Sequence, residues 1–530
     1  MRSLIDWVVE GAGVTDAGKV AVRSSQHELS YDELIRGAQS IAAELGDAGI
    51  GAGDRVGVWM SKSPRCIQVL LGVMWAGAAY VPLDPRAPWK RSRKIVQDCG
   101  LSGLVADAPR LEHLDAMLEG HRLKRLLVDS ADEDSVREKY ASHEDSPWEI
   151  LEAVLAARRE VSPKPALDDL AYILYTSGST GVPKGVVHTH RSGLAFARWI
   201  RETFSIKQSD VFSSHAPIHF DLSISDLYAA LGSGACVHLI SSTEGMLAPY
   251  LVKKVPDWGI TVWYSVPSIL VSMLNTGNLE EQGFGSVHTL FFAGEVFPTP
   301  QLRRLRRALP GVRLANLFGP TETNVCTYYE VPADLPDEMN EPIPIGRGCE
   351  HMDTFAIKDD GTVAGIGEVG ILWARGDNLM RGYWNDPEKT ASILQADPRG
   401  VSGLACCTGD RVELLEDGNY KFLGRRDHMV KIRGYRVDLG EVESALAAHP
   451  DVLEAVTVPL SDEGEAWLAA SVVLASGKQA EPKAIRGFCA DRLPSYMVPK
   501  QIEIREALPQ TSTGKADRQL LGREWKDKGQ

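Results

Sequence analysis

Through the first half of this chain, short apolar runs alternate with helix-like segments. That pattern confines the fold to parallel sheets with helices on their faces, an α/β architecture. Arg55 to Trp59 reads as a strand, Cys66 to Gly77 as a buried helix, and Ala78 to Leu83 as the next strand, ended by Asp84-Pro85. Further strands are expected at Leu104–Ala106, Leu126–Val128, Tyr172–Tyr175, Val237–Ile240 and Val262–Tyr264. Residues 130–167 are charged and poorly periodic and read as a surface excursion with one helix, Trp148 to Arg159. A second break comes around Gly424–Asp427. After it, a strand at Met429–Ile432, a helix over Val442–Leu446 and strands at Leu453–Val458 and Ala469–Leu474 describe a small α+β unit.

At 530 residues the chain has room for three or four structural units. The 44% hydrophobic and 24% charged content is that of an ordinary globular protein. A net charge of −14 argues against general nucleic-acid binding, which needs a basic footprint. The eight cysteines form no C-x-x-C pair and no zinc-ligand spacing, which fits reduced thiols in a cytosolic enzyme. The N-terminal apolar stretch is broken by Asp6 and Glu10, unlike a secretory signal, and no run approaches a membrane span. A cytoplasmic location is expected.

The most informative stretch runs from Leu174 to Gly185 (LYTSGSTGVPKG). An apolar strand feeds a loop of small hydroxyl and glycine residues that ends near Lys184. Such a loop aims backbone N–H groups and hydroxyls at phosphate oxygens, and the lysine adds a cation. The spacing is not that of a Walker loop.

Thr176 to Gly185 resembles the phosphate loop of the adenylate-forming superfamily, which includes acyl-CoA ligases, luciferases and peptide-synthetase adenylation domains. Its other motifs follow in order. Leu29–Leu34 and Ala76–Pro85 resemble the early structural motifs, and Asn316–Thr323 (NLFGPTET) the adenine and magnesium motif. Thr408-Gly-Asp410 resembles the ribose motif, Gly424–Asp427 with Val430–Gly434 the hinge motif, and Thr513–Arg518 (TGKADR) the C-terminal lysine motif. The resemblance implies an N-terminal core over residues 1–424, a hinge over 425–427 centred on Asp427, and a mobile lid over 428–530.

It also implies ATP and Mg²⁺ as cofactors and gives each position a role. Thr176, Ser177, Gly178, Ser179 and Thr180 would face phosphate, beside Lys184. Asn316, Phe318, Gly319 and Thr321 would line the nucleotide site, with Phe318 stacking on adenine and Phe422 adjoining it. Glu322 would be the Mg²⁺ carboxylate, since Mg²⁺ takes hard oxygen ligands and substrate phosphate. Asp410 would accept from the ribose hydroxyls, and Arg425 would reach the ribose and phosphate region. Lys515 would offset the charge developing where carboxylate meets the α-phosphate. Two half-reactions follow: a carboxylate attacks the α-phosphorus of Mg·ATP, then a thiol attacks the acyl-adenylate, with lid rotation between them.

Ile218–Asp226 (IHFDLSISD) resembles the acid-recognition motif of amino-acid adenylation domains, in which the residue matching Asp221 pairs with the substrate ammonium. The bland alternative is that Asp221 caps a helix from Leu222 to Leu231. Carrying over the remaining specificity positions gives Leu222, Ser225, Tyr264, Phe291, Ala293, Leu317, Val325 and Cys326. This apolar lining suits a small neutral amino acid. The set resembles that of free-standing proline-activating enzymes and, more distantly, D-alanine–carrier ligases; Ser225 and Phe291 depart from the commonest proline pattern. L-Proline is the first expectation, with D-alanine or another small amino acid as alternative. With no carrier or condensation motifs in the sequence, the acceptor is expected in trans: a peptidyl carrier protein, or coenzyme A. An acyl-CoA ligase for a non-amino acid and a non-catalytic nucleotide-binding paralogue are the rival readings.

Three features are set aside. Gly365–Gly370 matches G-x-G-x-x-G without the strand before and helix after. His188 and His190 lack a third metal ligand. Arg303, Arg304, Arg306 and Arg307 read as a solvated helix face, with a carrier-protein contact as the minority reading. Cys406-Cys407 stands where peptide-synthetase relatives usually have Tyr-Arg.

Overall fold

The computed structural model describes residues 3–140, 147–178, 183–426, 429–462, 465–509 and 516–528. An eight-stranded sheet is built around Ala79–Pro82, Arg55–Trp59, Gly103–Asp107 and Arg125–Asp129, all parallel. A nine-stranded sheet has the parallel run Val211–Ser214, Val262–Ser265, Thr289–Ala293 and Arg313–Phe318 at its centre. The alternating pattern read from the sequence is thus two doubly covered sheets. Their central strands are largely apolar because both faces are covered.

Helices that meet the largest core cluster carry clear start signals. Ser30 and Glu33 form a capping box for Tyr31–Asp47. Ser63 caps Pro64–Trp75, with Pro64 in the first turn. In that second helix every residue except Arg65 is buried. It packs so closely on its neighbour that a Cβ on Gly72 would lie 2.7 Å from Ile41. Deep burial on all sides is what an all-round apolar helix requires.

A five-stranded antiparallel sheet follows, including Leu404–Leu414 and Tyr420–Arg425. Then come a two-stranded hairpin, Met429–Ile432 with Tyr435–Asp438, and a three-stranded sheet covered by Leu439–Ala447 and Pro482–Ala490. Arg433 (φ 49°) and Gly434 (φ 79°) turn the hairpin. Two positive-φ residues between paired strands are the geometry that twisted hairpins favour.

The structure corrects several expectations. Among the described residues of 130–167 are two helices, Glu133–Tyr140 and Leu151–Ala156, and the strand Trp148–Ile150, which pairs in parallel with Arg125–Asp129 at the sheet edge. Three residues are too few to show an alternation, so the edge strand left no periodic signal. The expected helix Leu222–Leu231 is split: Leu222–Ile224 is α-helical, and Ser225–Ala229 is a π-turn. In the arginine helix, Arg303 and Arg306 are buried, and each donates to a backbone carbonyl, of Met339 and Leu309 respectively. Arg304 pairs with Glu280 at 2.9 Å, and only Arg307 is exposed. The long stems lie on apolar surface while the guanidiniums satisfy loop carbonyls. Residues 365–368 turn directly into the strand Val369–Gly376, with no helix. No described helix is long and apolar enough to cross a membrane.

Candidate active site

Parallel strands deliver their following loops to one rim of the sheet, where ligands bind in open α/β folds. Tyr264, Ala293 and Phe318 stand at such strand ends. The phosphate-loop residues leave the other sheet after Leu170–Thr176.

Asp221 lies in a cavity lined by Phe196, Leu222, Tyr264, Ala293, Gly294 and Val325. Its backbone is helical (φ −63°, ψ −25°) and its side chain makes no cap bond, so the capping alternative fails. Its carboxylate accepts from Thr321 Oγ1 at 2.7 Å. Burial pushes the Asp221 carboxyl up, against the opposing charge of Lys431 and the Thr321 bond. The Thr321 carbonyl in turn accepts from His188 Nε2 at 2.9 Å, and His188 Nδ1 meets Ser192 Oγ at 2.9 Å. His188, weighed above as a metal ligand, therefore orients Thr321; burial lowers its pKa to about 4, so it is neutral. His190 accepts from the Leu4 N–H at 3.3 Å.

Four of the carried-over positions sit differently. Ser225, Phe291, Leu317 and Cys326 are fully or almost fully buried beneath the cavity wall. Phe291 packs edge-on against Tyr264, with centroids 5.7 Å apart. Ser225 Oγ and both Asp226 oxygens are buried without a hydrogen-bond partner. They belong to the π-turn, which spoils the regular helical ladder and is frequent at functional sites.

A second cavity, of about 310 Å³, is lined by Gly178, Lys184, Glu322, Tyr383, Cys407, Thr408 and Arg425. Lys184 Nζ donates to the Tyr383 hydroxyl at 3.2 Å and lies 3.6 Å from Glu322. Burial and the nearby Arg436 lower the Lys184 pKa to about 8, against the pull of Glu322. Burial alone would raise the Glu322 carboxyl; Arg436, Lys184 and the Tyr383 hydroxyl outweigh it and hold the group well below the usual carboxylate range. Asp410 stands opposite Arg425 in register and pairs with it at 2.5 Å. Burial raises the Asp410 carboxyl, although Arg425 opposes. Phe318 and Phe422 face each other with centroids 5.7 Å apart, tilted by 50°. Asn316 donates to the Pro344 carbonyl at 3.1 Å. Thr176 Oγ1 is buried and without a hydrogen-bond partner. Cys406 is fully buried beside Met380 and Tyr383, so the dipeptide adds packing rather than a charged group.

Ser179, Thr180, Asp427 and Lys515 lie outside the described residues. Ser177 and Gly178 are met by the hairpin and the helix after it. Ser177 Oγ donates to the Arg436 carbonyl at 2.7 Å and accepts from Asp438 N at 3.0 Å. The Gly178 N–H donates to Glu441 Oε2 at 3.2 Å. Arg436 pairs with Glu322, and Glu441 with Arg91. Lys431 lines the Asp221 cavity. The sequence reading had Lys431 inside the hinge motif, with Arg436 and Glu441 just beyond it, and gave none of the three a place in the site. A third, larger cleft of about 710 Å³ runs between core and hairpin, past His219, Phe220, Val266, Arg433, Tyr435 and Tyr496.

Glu322 fits Mg²⁺ as a single buried, ionised carboxylate whose shell substrate phosphates would complete. Among the described residues, no cluster of three or more His, Cys, Asp or Glu side chains could hold a metal without them.

Residues 10–384 match the family model of the AMP-binding enzyme, and residues 441–515 that of the AMP-binding enzyme C-terminal domain. The chain is 38% identical to an L-proline–[L-prolyl-carrier protein] ligase of Pseudomonas fluorescens, over 96% of each chain. It is also 38% identical to one of Streptomyces coelicolor, over 93% of this chain and 92% of that one. Among solved structures, the Vibrio cholerae adenylation domain AlmE, in complex with glycyl-adenosine-5'-phosphate, aligns with TM-score 0.86 at 25% identity. It covers 99% of this chain and 98% of that one. The chain belongs to the AMP-binding enzyme family.

Proposed function

We propose that the enzyme activates L-proline with ATP and passes the prolyl group to the phosphopantetheine thiol of a separate carrier protein. The observation that carries this reading is Asp221: a partly buried carboxylate, held by Thr321, in a small cavity walled by Phe196, Leu222, Tyr264, Ala293 and Val325 with Asn324 and Lys431 at its margin. A buried carboxylate calls for a cation, and a substrate ammonium supplies one. The two L-proline ligase relatives support proline as the amino acid.

In the first step a substrate carboxylate oxygen bonds to the α-phosphorus, and the bond to the pyrophosphate oxygen breaks. Asp221 fixes the ammonium end. Asp410 and Arg425 orient the ribose, and Phe318 with Phe422 flank the base. Lys184 and the N–H groups after Thr176 hold phosphate oxygens. Mg²⁺, held by Glu322, supplies positive charge to the phosphates when bound. Lys515 approaches in a second lid arrangement, about a hinge over 425–427 that joins the core 1–424 to the lid 428–530. In the second step the thiol sulfur bonds to the acyl carbon and AMP leaves; the thiol proton goes to solvent. The cleft past Phe220 and Tyr435 leads toward Leu222 and would admit the pantetheine arm. The protein contributes chiefly position and charge.

The test is ATP–pyrophosphate exchange with L-proline, D- and L-alanine, glycine and the ring acid lacking the amine, beside Lys515→Ala. Exchange with L-proline, lost without the amine and in the variant, is the expected result. Exchange only with amine-free acids would overturn the Asp221 role. Loading of a holo carrier protein, compared with coenzyme A, tests the acceptor.

A further inference from the structure

Asn324 follows the short turn Thr321–Thr323 in a backbone conformation that its residue type does not explain. Its φ of 52° and ψ of −91° lie outside the left-handed helical region, with ψ about +47°, that asparagine visits in turns. Close packing holds this conformation. A Cβ on Gly319 would lie 2.6 Å from the Asn324 carbonyl oxygen and 2.9 Å from Val325 Cα. The Val325 carbonyl accepts from Asn378 Nδ2 at 3.1 Å. Backbone strain of this kind persists where the surroundings over-determine it, and it clusters at ligand sites. Asparagines are mostly exposed, yet Asn324 is only 3% exposed and lines the Asp221 cavity.

The direction of its amide follows from His188. His188 Nε2 faces the Thr321 carbonyl at 2.9 Å, and a carbonyl can only accept, so Nε2 carries the proton. The imidazole is neutral, which leaves a lone pair on Nδ1. The Asn324 amide meets Nδ1 at 3.5 Å, so the group turned to the ring is the NH₂ and not the oxygen. Tyr172 stacks on the same ring, with centroids 5.0 Å apart, and holds its plane. Asn324 Oδ1 is thereby turned away from His188; it is buried and has no hydrogen-bond partner among the described residues. One imidazole thus orders two acceptors, Asp221 through Thr321 and Oδ1 through its own amide. A buried acceptor without a donor costs free energy, and a ligand N–H removes that cost.

We propose that Asn324 Oδ1 is a second acceptor in the amine site, taking one substrate N–H while the Asp221 carboxylate takes another. The proposal rests on the reading of Asp221 as the amine partner. It narrows the substrate class to amino acids whose ammonium carries at least two N–H bonds. L-Proline, a secondary ammonium, has two, and primary amino acids have three. N-methyl-L-proline keeps the ring and the charge but has only one.

The experiment uses the full chain with Asn324→Gly and Asn324→Asp. Glycine removes the amide and adopts a positive φ freely, while aspartate keeps an acceptor of similar size. Pyrophosphate exchange reads kcat and KM for L-proline, N-methyl-L-proline and the ring acid lacking the amine. Calorimetry reads the Kd of Mg·ATP. The wild type should prefer L-proline to N-methyl-L-proline by roughly 10- to 100-fold in kcat/KM, the scale of one hydrogen bond to a charged group. In Asn324→Gly the L-proline KM should rise by a similar factor with kcat little changed, and the preference should shrink accordingly. Mg·ATP affinity should stay at its wild-type value, and Asn324→Asp should retain the preference. An unchanged preference in Asn324→Gly, or equal loss in both variants, would overturn the second acceptor. So would joint loss of L-proline and Mg·ATP binding, which marks the turn as a support of the fold. Failure of the Asp221 reading shows in the wild type instead, as exchange with the amine-free acid equal to that with L-proline, so the two failures are separable.

Discussion

At the scale of single residues, the site is a set of desolvated charges, most of them already paired within the protein. Asp221 is the clearest: desolvation raises it, against the charge of Lys431, the Thr321 hydrogen bond and the Leu222 backbone. Asp221→Asn should lower kcat/KM for L-proline by roughly 10²–10³-fold, the scale of an unpaired buried charge. The amine-free acid should lose nothing in the same exchange assay. Lys184 gives a pH signature. Its pKa is depressed to about 8, so the cation is present below that pH and lost as pH rises through it. Mg·ATP affinity measured by calorimetry should therefore fall above about pH 8 and stay flat in Lys184→Arg, whose side chain keeps its proton. The types of these residues were legible because each sits in a local motif. The chain Ser192–His188–Thr321–Asp221 was not, because His188 and Thr321 are 133 residues apart and no local pattern links them.

At the scale of elements, hydrophobic alternation located the central strands to within a residue or two, as at Arg55–Trp59 and Val262–Ser265. Such strands are buried on both faces, so their apolar runs are continuous. The same signal failed where tertiary contacts decide. Trp148–Ile150 is a strand because the sheet edge offers it a partner, and Ser225–Ala229 leaves the α-helical ladder inside the site. The Arg433–Gly434 turn is the element whose alteration is most diagnostic. Gly434→Ala adds a Cβ 2.2 Å from Val266, a clash confined to the packed hairpin, on top of the φ 79° cost that the turn carries in any arrangement. Carrier loading should fall by roughly tenfold or more, while pyrophosphate exchange, which needs the hairpin withdrawn, should persist or rise. Loss of both activities together would show that the turn supports the fold rather than the seating.

At the scale of the whole molecule, the hairpin and the helix after it meet the preceding sheets through buried charge contacts. Arg91 and Glu441 are both almost fully buried and pair across the junction. Removing one partner of a buried pair leaves the other uncompensated, at a cost of about 3–5 kcal/mol. Arg91→Ala should thus disfavour the docking of Leu439–Ala447 seen here: limited proteolysis of the empty enzyme should accelerate at the junction, and carrier loading should slow. Equal proteolysis rates would place the closure elsewhere.

The sequence by itself determined the sheet-and-helix architecture, the order of the motifs and the types of the charged residues. These depend on periodicity and on short local spacings, which a chain carries in one dimension. Tertiary structure alone decided what faces what. Lys431, Arg436 and Glu441 lie close together in sequence, yet they reach three separated positions: the Asp221 cavity, Glu322 and the phosphate loop. A β-hairpin turned at Gly434 and seated on Val266 sets those directions, and contacts so far apart in sequence leave no local pattern to read.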